Sequence, residues 1–133
     1  MHRHEHEILI SSAHLDALGH VGNATYLELY FAARIAWSES NGYSLQDFVG
    51  LGVLPTFTDI HLRFQREIRA GQRIVVSSWV TSYEGKIFVI DQEMTDTEGR
   101  TCSEVTITGG LFDLKARRLI EPTADWLASI GMA

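Results

Sequence analysis

The chain has a single cysteine, Cys102, among its 133 residues, so no disulfide can form within it. Positive charge is also scarce, with eleven Lys and Arg against seventeen Asp and Glu and a formal net charge of −6. Nucleic-acid binding needs a clustered basic surface that these scattered cations do not supply, so no nucleic-acid partner is expected. A small anionic ligand needs only a few of them to converge. No apolar run approaches the ~20 residues required to span a bilayer. The opening "MHRHEHEILI" lacks the apolar core and small-residue cleavage site of a signal peptide. No membrane partner and a cytoplasmic location are therefore the expectations. Internal repeats and low-complexity segments are absent too. What is present, at 45% hydrophobic composition, suits one compact domain over residues 1–133. Function then sits on that domain or at a contact between copies.

Residues 23 to 39, "NATYLELYFAARIAWSE", contain no Gly or Pro, and their apolar residues fall on nearly every side of a helical wheel. Such a helix is expected to be buried. Two N-terminal signals compete: Asn23 as a plain N-cap, or Thr25 as the cap of a Thr25-x-x-Glu28 capping box. The helix ends at Asn41-Gly42. "SLQDFVGLG" suggests a short helical turn after it. From residue 53 the period becomes two, with Leu54, Thr56, Thr58, Ile60, Leu62 and Phe64 on one face and Phe57, Asp59, His61 and Arg63 on the other. That pattern predicts a strand with one buried face. Further β-rich runs cover about 72 to 83, 86 to 96 and 101 to 114, separated by the short turns "EGK" and "TEGR". With a strand over residues 4 to 11, the total is five strands. Gly109-Gly110 predicts a bulge or a close backbone approach in the last of them. The tail "EPTADWLASIG" predicts a short helix capped by Thr123, with Trp126 and Leu127 packing back.

This order of strand, loop, buried helix and four strands has a physical solution: an antiparallel sheet curling around one apolar helix. The segment "DALGHVGNATYLEL", starting at Asp16, also resembles the "DxxGHVNNxxYL" signature of the hotdog acyl-CoA thioesterases of the 4-hydroxybenzoyl-CoA type. The resemblance extends over roughly residues 5 to 120, through "LRFQREIRAGQRI" and the Gly-Lys turn at 85 to 86. It implies an α+β hotdog fold, a five-stranded antiparallel sheet wrapped around one long buried helix. It also implies hydrolysis of an acyl-CoA or acyl-ACP thioester, with no metal or other cofactor. Its chains assemble as homodimers or homotetramers with clefts between subunits, and an unpaired sheet edge would gain from such pairing. This sequence departs from the signature at Gly22, where the family usually has Asn, which alters hydrogen bonding at the helix entry.

Thioester hydrolysis needs an attacking group and something to hold the oxygen that becomes negative. Unpaired N–H groups at a helix N-terminus, here around Gly22, Asn23 and Ala24, can polarise the carbonyl and stabilise an oxyanion. The resemblance makes Asp16 the carboxylate, acting as nucleophile through a mixed anhydride or as general base on water. By the residues alone, the favoured reading of Asp16 is a turn residue before Ala-Leu-Gly. His20 either assists Asp16 and substrate or bonds loop backbone. Asn23 either caps the helix or offers its N–H to the thioester oxygen. Gly19, Val21, Gly22 and Tyr26 complete the expected substrate contacts, with Leu27, Tyr30 and Phe57 as acyl-pocket or plain core residues. For the phosphates of coenzyme A the candidates are Arg63, Arg66 and Lys86, then Arg69 and Arg73, each otherwise a solvated charge.

Other polar residues draw blander readings. His2, His4 and His6 alternate on a terminal strand and are expected on a solvated face rather than at a metal. His61 is expected at the surface or a subunit contact. Glu28 closes the capping box or faces a polar cleft. Two other functions stay open: a hotdog hydratase or dehydratase, which would need a second acid-base pair, and a non-enzymatic acyl-thioester binder, which Gly22 keeps in play.

Overall fold

A computed structural model describes residues 2–132. In chain order the elements are β1 (His4–Leu9), a 3-10 turn (Ser12–His14), α1 (Asn23–Ser40), α2 (Leu45–Leu51), β2 (Val53–Phe64), β3 (Arg73–Glu84), β4 (Ile87–Thr95), β5 (Thr101–Asp113), β6 (Arg118–Ile120) and α3 (Ala124–Ser129). The strands form one antiparallel sheet in the order β1-β3-β4-β5-β2. β6 pairs with Leu111–Asp113 of β5. The sheet thus has six strands rather than the five expected; a three-residue strand is too short to show a period in sequence. Ser44 and Thr123 cap α2 and α3 by accepting from the N–H groups of Asp47 and Trp126. None of the helices described is long and apolar enough to cross a membrane.

α1 buries one stripe, Tyr26, Leu29, Tyr30, Ala33 and Trp37, whose spacing of three and four residues is that of a single helix face. The stripe joins Ile74 and Val76 of β3, Phe88, Ile90 and Met94 of β4, and Val105, Ile107 and Leu111 of β5 in one core. The expectation of a helix buried all round is corrected here. Leu27 and Phe31 remain 40% and 47% exposed, because one sheet covers only one face of a helix. β2 shows the same incompleteness. It lies at the sheet edge, and Ile60 and Phe64 on its expected buried face are 44% and 51% exposed.

The glycine pair in β5 marks a close backbone approach. A Cβ on Gly109 would lie 2.1 Å from the Thr56 carbonyl oxygen, and one on Gly110 would lie 2.4 Å from that of Lys86. The irregularity itself falls opposite, in β2 between Phe57 and Asp59. There the extra residue lets Phe57 before it and Leu62 after it, on opposite parities, both pack toward the core.

Candidate active site

The loop before α1 is a small closed structure. Leu15 and Val21 form an isolated antiparallel bridge. Inside it the Asp16 N–H donates to the His20 carbonyl at 2.9 Å and the Gly19 N–H to the Asp16 carbonyl at 3.1 Å. Gly19 turns the chain at φ +83°, a region that costs an L-residue strain. The Val21 N–H donates to the Ile68 carbonyl at 3.2 Å, tying the loop to the segment after β2. Gly22 leaves this anchor in an extended conformation (φ −73°, ψ 156°) and is the N-cap of α1. Its carbonyl accepts from the Thr25 and Tyr26 N–H groups.

Neither expected cap therefore forms. Asn23 is the first helical residue, Thr25 lies inside the helix, and Glu28 is exposed with no capping role. The reason is geometric: the Leu15–Val21 bridge delivers the chain to helical geometry immediately after Gly22, which has no side chain to cap with. Consequently the N–H groups of Gly22, Asn23 and Ala24 have no acceptor among the described residues. They carry the positive end of the helix dipole and are free to bind an oxygen.

Asp16 sits beside this terminus. Its Oδ1 accepts from the Leu18 N–H at 2.8 Å, which is the Asx-turn that the residues alone suggest. Its Oδ2 lies 3.7 Å from His20 Nδ1, beyond hydrogen-bond length but close enough for attraction when the imidazole is protonated. The same Oδ2 would lie 3.9 Å from a Cβ placed on Gly22. Turn residue and reactive carboxylate are thus compatible roles carried on different oxygens.

A cleft of about 360 Å³ opens at the helix N-terminus, lined by His20, Val21, Asn23 and Tyr26 on one side and by Phe64, Gln65, Arg66 and Glu67 on the other. The Tyr26 and Phe64 rings meet edge to face, 4.9 Å between centroids. Burial, with added repulsion from Cys102 and Glu67, raises the pKa of the Tyr26 hydroxyl and keeps it neutral. Five of the expected residues, His20, Val21, Asn23, Tyr26 and Arg66, thus share one cleft, with Asp16, Gly19 and Gly22 on the adjoining turn. Phe64, Gln65 and Glu67 were not among the expected site residues, although all three lie in the "LRFQREIRAGQRI" stretch at the end of the edge strand.

Other candidates are dispersed. Arg63 points its Nε at His61 Nε2, 3.5 Å away, and lies outside the cleft lining. Arg69 pairs with Glu67 and Arg73 with Glu7, so both are partly neutralised. Lys86 lies beside Gly110, seven residues along β5 from the Ser103 that pairs with Phe64, or roughly 23 Å at strand spacing. Within one chain it does not reach the cleft. The expected acyl-pocket residues also separate: Tyr30 is fully buried with its hydroxyl on Ser103 Oγ at 2.9 Å, Leu27 is exposed, and Phe57 lines a different cavity. His4 and His6 occupy the half-buried face of β1, not the solvated one, because Glu5 and Glu7 take the outer positions. Among the described residues no three His, Cys, Asp or Glu side chains converge on a metal-sized site.

The sequence model of the thioesterase-like superfamily matches residues 11–130, nearly the whole chain. The chain belongs to the thioesterase-like superfamily. Members similar to it include the long-chain acyl-CoA thioesterase FadM of Escherichia coli (strain K12), 27% identical over 115 residues that cover 86% of each protein. YneP of Bacillus subtilis (strain 168) is 31% identical over 85 residues, 64% of this chain, and the match spans 62% of YneP's own length. Among solved structures, Slr0204 of Synechocystis, a 1,4-dihydroxy-2-naphthoyl-CoA thioesterase, superposes with a TM-score of 0.88 at 20% identity, covering 98% of this chain and 96% of that one. That likeness establishes the fold, the α+β hotdog arrangement, for this member of the superfamily.

Proposed function

We infer that this superfamily member is a thioester hydrolase acting on acyl-CoA, with Asp16 as its carboxylate and the N-terminal amides of α1 as its oxyanion hole. The observation that carries the reading is the juxtaposition of two free groups: Asp16 Oδ2, left over from the Asx-turn, and the unpaired N–H groups of Gly22, Asn23 and Ala24. With the thioester carbonyl oxygen on those amides, charge developing on it is met by fixed dipoles that need no reorganisation. As nucleophile, Oδ2 bonds to the carbonyl carbon, the tetrahedral oxyanion collapses with release of the thiolate, and water cleaves the resulting mixed anhydride. As general base, Oδ2 takes a proton from water while the water oxygen attacks, and the departing thiolate takes up a proton. His20, 3.7 Å from Oδ2, supports the charged carboxylate when protonated.

The relatives' printed names support coenzyme A as carrier, and Arg66 is the cleft residue suited to a phosphate, being exposed and without an ion-pair partner among the described residues. A homo-oligomer fits the exposed Leu27, Phe31, Ile60 and Phe64, since β2 offers a twelve-residue edge with no partner on its outer side among the described residues. A second copy there would close the cleft and supply cations that one chain does not bring near. The test is thiol release from a series of acyl-CoA and aryl-CoA substrates and from the matching acyl-ACP. Turnover with CoA substrates is expected. Binding of a non-hydrolysable acyl-CoA analogue without any turnover would instead make the protein an acyl-thioester binder.

A further inference from the structure

α1 carries a cation that the chemistry above does not use. Arg34 is half-buried against the core, and burial alone pushes its pKa down to about 10. Its guanidinium makes one hydrogen bond, from NH1 to Gln92 Oε1 at 2.8 Å. Gln92 is itself fully buried and otherwise satisfied, its Nε2 donating to the Tyr30 carbonyl and to Ser78 Oγ. The guanidinium also stands 4.8 Å from the Phe57 ring centroid and 5.7 Å from that of Phe31. A guanidinium has five N–H donors. No carboxylate among the described residues pairs with it.

Arg34 lines a cavity of about 240 Å³ formed by α1, α2, β2, β4 and α3, whose walls are mostly apolar, with Trp37, Phe48, Leu54, Phe57 and Trp126 prominent; Ser38 also lines it, its hydroxyl donating to the Tyr43 carbonyl. Trp37 brings a second unmet donor. Its ring is 2% exposed and its buried indole N–H has no acceptor among the described residues. The cavity shares no lining residue with the cleft at the helix N-terminus. Tyr26 and Arg34 are eight residues apart on α1, about 12 Å along its axis.

We propose that this cavity is a second ligand site, for a small apolar carboxylic acid whose carboxylate meets Arg34 and the Trp37 indole N–H while its tail lies among the aromatic walls. Two donors without a protein partner, one on a half-buried cation and the other on a buried indole, favour an anionic acceptor over a neutral one. At roughly 30 Å³ per buried group, as for a water molecule, the space holds about eight non-hydrogen atoms. Counting the two carboxylate oxygens, that corresponds to an acid of about six carbons.

The site can be tested on this protein by calorimetry with sodium hexanoate, hexan-1-ol and hexylammonium chloride. Hexanoate is expected to bind and the other two to bind at least ~10-fold more weakly, since only the carboxylate forms charge-assisted hydrogen bonds. Arg34→Met should reduce hexanoate affinity at least ~10-fold. Because that variant leaves Gln92 Oε1 without its donor, Leu54→Phe is the companion, filling the cavity from β2 while keeping the Arg34–Gln92 bond, and it should lose hexanoate binding too. Asp16→Asn should bind hexanoate as wild type does, whatever becomes of its turnover, so failure here is distinct from failure of the catalytic reading. Absence of hexanoate binding to wild type, equal binding of the alcohol or the ammonium, or full affinity in folded Arg34→Met and Leu54→Phe each overturns the proposal.

Discussion

Replacing Asp16 with Asn tests the catalytic reading with little disturbance of the fold. The Asn side-chain carbonyl can take the place of Oδ1 and keep the 2.8 Å bond from the Leu18 N–H, so the Asx-turn survives. The position of Oδ2 is then filled by an amide nitrogen, which neither attacks a carbonyl nor accepts a proton. The Asp16 side chain is 37% exposed, so little desolvation is at stake, and stability should move by no more than about 0.5 kcal/mol. With an unfolding entropy of roughly 0.28 kcal/mol/K for a chain of this length, that is a melting shift within about 2 °C. Turnover, in contrast, should fall by ~10²–10⁴, equivalent to about 2.7–5.4 kcal/mol in the barrier. Affinity for a non-hydrolysable acyl-CoA analogue should hold, because the helix amides are untouched. The assays are thiol release, a thermal melt and calorimetry with the analogue. A folded Asp16→Asn that keeps a tenth or more of wild-type turnover would remove the carboxylate from the chemistry and leave His20 as the group to examine.

Other expectations concern the rest of the cleft and its support. Arg66→Ala should raise KM for a CoA substrate with kcat nearly unchanged, since a charge holding a remote phosphate acts on substrate and transition state alike; an unaltered KM would place the phosphates elsewhere. Gly109→Ala should cost about 2–4 kcal/mol, read as a lowered urea midpoint, because its Cβ would lie 2.1 Å from backbone rather than from a side chain able to move; a midpoint unchanged from wild type would contradict that approach. Ile60→Glu should shift light scattering toward smaller species by placing a charge on the β2 edge, whereas a monomeric wild type at all concentrations would refute the assembly. The Asp96 carboxyl is held below its usual pKa, first by the Arg100 backbone N–H and also by the Arg100 side chain and the Glu98 N–H. A lowered native pKa means that its stabilisation is present in full above the unfolded value of about 3.9 and lost as pH falls through the native one. Asp96→Asn should therefore flatten the acid limb of stability against pH in urea titrations; parallel limbs would show that Asp96 is not responsible.

Local pattern was enough for most of the fold. The alternation from residue 53, the turns at Gly85 and Gly99, the helical turn in "SLQDFVGLG", the cap Thr123 and the uninterrupted run of α1 each depend on neighbours within a few residues, and each element appears within a residue or two of its expected place. The segment from Asp16 to Tyr26 was likewise legible, because one loop and one helix start contain its parts. The sequence could not tell which residue begins α1. That is decided by the Leu15–Val21 bridge and the anchor on Ile68, forty-seven residues downstream of Val21, and with it which amides are left unpaired. Nor could it sort the arginines. Arg66 and Arg69 look alike in sequence, yet one lines the cleft and the other pairs with Glu67, while Lys86 is carried to the far end of the sheet by the register of β4 on β5. Arg34 reads only as one charge in an apolar helix; its unmet donors became visible once α2, β2 and α3 had closed around it. Helix and strand periods are short-range consequences of backbone geometry, whereas shared clefts and unmet donors depend on contacts between residues distant in the chain, which exist only in the packed structure.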